Sequence, residues 1–109
     1  MPFPLAEHAS VAEEKIRDYL LNLAHPVGGS KAAWFASIGY TTENWQDLAE
    51  ALLEVARTSE EYVAEPSPFG VKYKVSGTIG SAGHRPALVE SVWIAEEGKY
   101  PRLVTAYPG

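Results

Sequence analysis

The sequence contains no cysteine, which excludes disulfide bonds, thiolate zinc sites and a cysteine nucleophile. No apolar run approaches the roughly 20 residues that a transmembrane helix needs. Residues 1–7 lack the basic and then apolar pattern of a secretory signal peptide. We therefore expect a cytoplasmic protein that makes no contact with a membrane.

Positive charge is also scarce, since 9 lysines and arginines face 14 acidic residues and give a net charge of −5. Residues 1–68 hold eleven acids and four bases, which give −7, whereas residues 69–109 hold three acids and five bases, which give +2. The acidic total argues against nonspecific binding of nucleic acid. The basic second part still allows a local anion site.

The chain has 109 residues, of which 46% are hydrophobic and 21% are charged, as expected for one globular domain with a single core. It contains no internal repeat and no low-complexity tract. We expect one domain over residues 1–109, with residues 1–9 as a flexible N-terminal segment.

Three helical segments are predicted in the first part of the chain. Ser10 and Glu13 have the spacing of a capping box, and apolar residues recur behind them with a helical period. This first segment should end near Ala24, because Pro26 disfavours a helical conformation of the residue before it. The other two segments run from Ser30 to Gly39 and from Thr41 towards the proline-rich stretch 65–70.

Beyond residues 65–70 the hydrophobic period changes from about 3.6 to 2, which is typical of β-strands. Three strands are predicted over residues 71–79, 85–95 and 101–106, with turns at 80–83 and 96–99 and a weaker strand near 62–65. The predicted fold class is α+β, with three N-terminal helical segments packed on a three- to four-stranded antiparallel meander sheet.

The predicted loop lengths assign the strand side chains to two faces. With four residues in each loop, the inner face carries Val71, Tyr73, Val75, Leu88, Glu90, Val92, Ile94 and Leu103. The outer face then carries Lys72, Lys74, Ser76, Ser91, Trp93 and Arg102. A change of one residue in a loop would exchange the faces of the adjoining strand.

The predicted outer face has cations beside an aromatic side chain, Trp93. This combination suits RNA, with phosphates bound by the cations and a base stacked on the indole. It equally suits an acidic protein partner, since Trp and Arg are frequent interface anchors. The remaining interpretation is a solvated face on which lysine stems cover the indole.

Standard catalytic motifs are absent. Residues 28–31, Gly-Gly-Ser-Lys, lack the spacing of a phosphate loop, so Lys31 marks either an anion site at a helix start or an ordinary capped helix. His25 is either a proton-transfer group or a cation favoured at a helix C-terminus. His8, His25 and His84 have no metal-ligand spacing, so we expect neither a metal nor a cofactor.

Seven stretches of the sequence form a recognisable set. They are residues 15–21 (KIRDYLL), 25–26 (HP), 31–35 (KAAWF), 39–40 (GY), 70–77 (GVKYKVSG), 92–94 (VWI) and 101–108 (PRLVTAYP). The set resembles a family of short bacterial domains of unknown function that is common in cyanobacteria. The resemblance covers nearly the whole chain and implies a domain identity rather than an activity.

A looser similarity rests on the order of helices and then sheet, on the early His25 and Lys31, and on the final strand VTAYP at residues 104–108. These features are similar to the barnase–EndoU–colicin–RelE class of metal-independent RNases, many of which are toxins. The resemblance implies that His25 is a general base or acid and that Lys31 stabilises the phosphate. Arg102 or Thr105 would be a further phosphate contact, and a ribose 2′-hydroxyl would attack the adjacent phosphate.

Two candidate functions are therefore compatible with the sequence. The first is a metal-independent RNase or toxin-like domain that acts on RNA through His25 and Lys31. Its substrate-binding residues would be Lys72, Lys74, Trp93, Arg102 and Thr105. The second is a noncatalytic protein-interaction module, one half of a two-gene pair with a cognate protein partner. An open edge of the sheet would also allow a homodimer.

Overall fold

A computed structural model describes residues 1–25, 29–81 and 83–109. Within these ranges the helical elements are a 3₁₀ turn Ala6–His8, a π-helix Lys15–Leu20, helix α1 Gly29–Ser37, a second 3₁₀ turn Thr42–Asn44 and helix α2 Trp45–Thr58. The strands are β1 Tyr62–Ser67, β2 Gly70–Ile79, β3 Ala87–Ala95 and β4 Arg102–Pro108.

The predicted α+β class with an antiparallel sheet is confirmed, and the weaker fourth strand is present as β1. None of the described helices has the length and apolarity needed to cross a bilayer.

The prediction of three N-terminal helical segments is wrong in its first member. The described part of the chain has two α-helices, and the longer one, α2, lies in the middle of the sequence. In place of a helix reaching Ala24 there is one short π-helix, in which the N–H of Leu21 donates to the carbonyl of Ile16 at 2.8 Å. The helix ends at Leu20 and a turn follows, in which the N–H of His25 donates to the carbonyl of Asn22, so the expected apolar stripe does not continue and Leu23 is 67% exposed. Pro26, on which the predicted helix end depended, lies outside the described residues.

Helix α2 follows its sequence pattern closely. At its start, the backbone N–H of Thr41 donates to Asn44 Oδ1 at 2.7 Å, which closes a capping box before the helix. Leu48, Leu52 and Val55 are buried against the sheet, as the 3.6-residue period predicts. The acidic residues between them remain exposed on the opposite side of the helix.

The sheet is a meander in the order β1-β2-β3-β4, with every neighbouring pair antiparallel. Ile79 pairs with Ala87, so the β2–β3 connection covers residues 80–86 rather than the predicted 80–83. The difference is three residues, an odd number, and it exchanges the two faces of β3 relative to the prediction. Ala82 of this connection lies outside the described residues.

Trp93 therefore lies on the core face of the sheet, and its predicted position on the outer face is wrong. Its side chain is 0% exposed and pairs across the strands with Tyr73. The indole Nε1–H donates to Ser91 Oγ at 2.9 Å, and the Ser91 hydroxyl donates to the carbonyl of Val75 at 3.2 Å. The buried indole is thus fully bonded and presents no free face to a ligand.

The same exchange of faces moves the side chains that flank Trp93. Leu88, predicted to face inward, is 49% exposed. Glu90, predicted on the inner face, accepts a hydrogen bond from Ser76 Oγ at 2.6 Å and pairs with Tyr107 of β4. The carboxylate therefore finds its partner at the outer side of the sheet and does not need one in the core.

Residues 1–9, for which we predicted a flexible segment, contribute Phe3 and Ala6 to the hydrophobic core. The Phe3 ring stacks on the ring of Tyr73 with centroids 4.7 Å apart. Just after this segment, Ser10 forms a parallel bridge with Arg102 at the start of β4. The N-terminal chain thereby covers part of one sheet edge.

The buried position of Trp93 gives a stability prediction. Trp93→Ala should lower the free energy of unfolding by about 3–5 kcal/mol, because it removes the largest fully buried side chain. The matched control is Phe69→Ala, at an aromatic residue that is 77% exposed, and it should change stability by less than about 0.5 kcal/mol. Urea denaturation measures both values, and equally small losses would contradict the assigned face of β3.

Candidate functional site

Lys31 of helix α1 links three elements that are far apart in the sequence. Its Nζ donates to Tyr19 Oη at 2.5 Å and to Thr105 Oγ1 at 3.2 Å. Tyr19 belongs to the π-helix and Thr105 to β4. All three side chains are half-buried. We call Tyr19, His25, Lys31 and Thr105 the Lys31 cluster.

Local backbone irregularities set two of these side chains in place. In the π-helix, Ile16 and Leu20 point into the core, and Tyr19 between them remains at the border with solvent. In β4 the pairing is irregular, since Val92 pairs with Thr105 while Trp93 pairs with Leu103. A bulge of this kind redirects the side chains beside it, and here it brings Thr105 to the lysine of α1.

The electrostatics of the cluster centre on the Tyr19 phenol. The hydrogen bond from Lys31 lowers the pKa of Tyr19 below its usual 10.0, and the Thr105 hydroxyl lowers it further. Burial acts in the opposite direction, and the charges of Lys31 and Lys15 lower the pKa as well. Both ammonium groups lie near the ring, with Nζ at 4.8 Å from its centroid for Lys31 and 5.4 Å for Lys15.

His25 completes the cluster. Its ring meets the ring of Tyr19 edge to face, with centroids 5.1 Å apart and an interplanar angle of 85°. The imidazole is half-buried, so it is shielded on one side and open to solvent on the other. Thus His25, Lys31 and Thr105, three of the residues singled out from the sequence, lie around one tyrosine.

Tyr19 itself was not predicted as a site residue, because its spacing from Ile16 and Leu23 matches a helix stripe facing the core. The sequence signal for Tyr19 was the chemistry of its side chain and not its spacing. A tyrosine near the protein interior needs a hydrogen-bond partner for its hydroxyl. Lys15, four residues earlier, could have indicated a basic environment.

The remaining predicted site residues do not contact the Lys31 cluster directly. Arg102 is exposed and donates to Glu96 Oε1 from Nε at 3.2 Å and from Nη2 at 3.0 Å. Lys74 pairs with Val92, which pairs on its other side with Thr105. Two strand spacings separate the backbones of Lys74 and Thr105, a distance of about 10 Å. Lys72 lies one row further, across Ile94 from Arg102.

The cluster can act on an anion. A lysine ammonium has three N–H donors, and within the described part of the chain Lys31 donates to Tyr19 and Thr105, so one donor is left for a ligand oxygen. His25 can carry a proton, and the Tyr19 oxygen can accept one. Among the described residues there is no group of three or more His, Asp or Glu side chains arranged to hold a metal ion.

A large groove of the described surface lies elsewhere. It has a volume of about 970 Å³, runs between α2 and the β2–β3 hairpin, and is lined by Glu54, Glu60 and Glu61. Its described lining contains no lysine, arginine or histidine. The negative potential of such a groove repels polyanions, so its size alone does not make it a phosphate site. We therefore place the candidate site at the Lys31 cluster, where cations and proton carriers converge.

Comparison with known proteins supports the family resemblance and the fold. No curated protein matches the chain. One chain of a solved contact-dependent growth inhibition toxin–immunity protein complex from Klebsiella pneumoniae 342 superimposes with a TM-score of 0.73 and 15% identity, covering 91% of this chain and 98% of that chain. At this identity the similarity shows a shared fold. Residues 3–109 match the family model DUF6883, described as a domain of unknown function, and the chain belongs to that family.

Proposed function

We propose that this domain is a toxin-like, metal-independent RNase whose active site is the Lys31 cluster. One observation carries the proposal: the Lys31 ammonium is bonded to Tyr19 and Thr105, and the half-buried imidazole of His25 packs edge to face on the ring of the same tyrosine. A fixed cation next to a proton-transfer group is what cleavage of a phosphodiester by its own 2′-hydroxyl requires.

In the proposed reaction the ribose 2′-oxygen attacks the adjacent phosphorus and the 5′-oxygen leaves. The products are a 2′,3′-cyclic phosphate and a 5′-hydroxyl. Negative charge grows on the non-bridging oxygens, where Lys31 stabilises it with its third N–H donor. Thr105 holds the ammonium in place and offers a second contact to the phosphate. His25 transfers a proton at one of the two ribose oxygens.

The outer rows of the sheet provide a path for the RNA strand. Lys74 lies about 10 Å from Thr105 across Val92, a span of two strands. Lys72 and Arg102 flank Ile94 in the next row, and the charge of Arg102 is partly compensated by Glu96. We therefore assign the binding of neighbouring phosphates chiefly to the two lysines. Trp93 has no part in this path, because its indole is buried.

The similarity to a chain of a toxin–immunity protein complex supports a toxin-like role with a cognate protein partner. A partner that neutralised the activity would have to cover the Lys31 cluster and would therefore need acidic side chains. The same similarity favours the second candidate, a noncatalytic module that binds a partner. The two candidates differ in whether partner binding and RNA cleavage share the residues of the cluster.

Cleavage of RNA tests the catalytic role of His25 and Lys31. With total bacterial RNA in EDTA, the wild-type protein should yield discrete fragments. His25→Ala and Lys31→Ala should each lower the rate by about 10²-fold or more, since each removes a proton carrier or the cation at the phosphate. Gel analysis of the fragments and their termini measures the outcome.

Two exposed residues supply matched controls, His8→Ala and Lys99→Ala, which should retain the wild-type rate. Intact RNA with the wild-type protein, or full activity in His25→Ala, would refute the RNase. In that case, a complex with the product of a neighbouring gene that survives His25→Ala would support the noncatalytic module.

A further prediction concerns the RNA path. Lys74→Gln should raise KM by roughly fivefold, which corresponds to about 1 kcal/mol for one exposed phosphate contact, and should leave kcat unchanged. The variant should also make KM less sensitive to salt, because fewer counterions are released. Lys99→Gln, away from the path on an exposed turn, is the control. Equal effects of the two substitutions would argue against a path along the Lys74 row.

A further inference from the structure

We infer that Tyr19 is a catalytic residue, the base that takes the proton from the ribose 2′-hydroxyl, which leaves His25 to protonate the leaving 5′-oxygen. The inference rests on the proposed function and assigns the proton transfers that the proposal leaves open. Tyr19 receives this role from its hydrogen bonds and its neighbours, not from any sequence motif.

The direction of its hydrogen bond makes the Tyr19 oxygen an acceptor. A lysine ammonium has N–H donors and no acceptor, so in the 2.5 Å contact between Lys31 Nζ and Tyr19 Oη the phenol oxygen must accept. The Thr105 hydroxyl, which accepts from the same ammonium, also lowers the pKa of Tyr19. A phenol oxygen that accepts from an ammonium group is prepared to carry a negative charge.

The charges around Tyr19 also favour its phenolate form. Among the described residues, the charged or titratable groups that act on it are Lys15 of its own helix, Lys31 of α1 and His25 of the following loop, and β4 adds the uncharged Thr105. The two ammonium groups, with Nζ at 4.8 and 5.4 Å from the ring centroid, stabilise a phenolate over a neutral phenol. These contacts together lower the pKa of Tyr19 although burial opposes the change.

Tyr40 shows that this environment is particular to Tyr19. Its hydroxyl is buried near the end of β2, and its backbone partner is Gly80. Burial is the leading cause there and raises the pKa of Tyr40, with the charge of Asp47 acting in the same direction. Burial therefore favours the neutral phenol of Tyr40, whereas the neighbours of Tyr19 favour its phenolate. This difference marks Tyr19, and not Tyr40, as the candidate for proton transfer.

The step balances without another reactant. The 2′-hydroxyl proton moves to the Tyr19 phenolate as the 2′-oxygen forms its bond to phosphorus. The bond between phosphorus and the 5′-oxygen breaks, and that oxygen takes the proton of the His25 imidazolium. Tyr19 ends as a neutral phenol and His25 as a neutral imidazole, and exchange of one proton with water restores both. Lys31 stays protonated throughout and bonds the phosphoryl oxygens.

The alternative role for Tyr19 is to hold Lys31 in position without taking a proton. Tyr19→Phe keeps the ring and removes the oxygen, which both roles require, so it tests whether that oxygen is needed. Thr105→Val separates the two roles through the pH dependence of the rate. It removes a hydroxyl that lowers the pKa of Tyr19 and keeps the size of the side chain, so it should move the ionisation of Tyr19 to higher pH.

The experiment measures cleavage of RNA in EDTA across a range of pH, together with the near-ultraviolet absorbance of tyrosinate. Tyr19→Phe should lower the rate by about 10²-fold or more, the usual range for loss of a catalytic base. The control, Tyr100→Phe, alters an exposed tyrosine stacked on His8 and should retain the wild-type rate. The absorbance difference between wild type and Tyr19→Phe should show one tyrosine ionising below pH 10.0.

The pH profile adds a readout that a positioning role would not change. The reactive form holds a phenolate on Tyr19, so the rate depends on the fraction of Tyr19 that is ionised. Above the pKa of Tyr19 no further phenolate is gained, so the alkaline limb of the rate profile has its midpoint there. Thr105→Val should move this midpoint and the absorbance midpoint upward together, and should lower the rate below them.

The outcomes distinguish the inference from the proposed function. RNA cleavage that needs His25 and Lys31 but survives Tyr19→Phe within a few-fold would overturn the role of Tyr19 and leave the RNase standing. An unchanged alkaline midpoint in Thr105→Val, despite a shifted absorbance midpoint, would do the same. No cleavage by the wild type would refute the RNase, and with it the catalytic role, even where the absorbance titration still shows a low-pKa tyrosine.

Discussion

The hydrogen bonds of one ammonium group organise this molecule around its candidate site. Lys31 joins helix α1 to the π-helix through Tyr19 and to the edge strand β4 through Thr105. A half-buried ammonium needs such partners, because desolvation without them would be costly. The bonds in turn bring together a phenol and a hydroxyl from distant parts of the chain, and the imidazole of His25 packs on the ring of that phenol. Proton carriers and a fixed cation thereby meet in one place, although the chain as a whole is acidic.

Regular elements could be predicted from the sequence where the hydrophobic period was long and uninterrupted. Helix α2 and strands β2, β3 and β4 belong to this class, and so does the antiparallel meander. The π-helix could not be predicted, because over six residues its period differs too little from that of an α-helix. The face of β3 was predicted wrongly for another reason. Glycine-rich residues after Ile79 suggest a short turn, whereas pairing resumes only at Ala87, and an odd difference in loop length exchanges the faces of a strand.

The candidate site divides in a similar way. His25, Lys31 and Thr105 could be named in advance only through a resemblance, because no spacing rule links residues in a loop, a helix and an edge strand. Trp93 is an aromatic residue that was predicted to lie beside cations and to stack on RNA. It lies instead in the core, where it is bonded to Ser91. Tyr19 had the spacing of a core residue and yet lies at the centre of the cluster. Composition and period identify residue types and elements, whereas the position of a side chain depends on register, bulges and long-range contacts.

The central claim is that an RNA phosphate binds at the Lys31 cluster. The most direct test is an NMR titration of the labelled protein with a short RNA whose scissile ribose is 2′-deoxy, which can bind but cannot be cleaved. The account predicts the largest chemical-shift changes at Tyr19, His25, Lys31 and Thr105, with smaller changes along the Lys74 row. Changes confined to the acidic groove between α2 and the β2–β3 hairpin, or no changes in the cluster at saturating RNA, would contradict it.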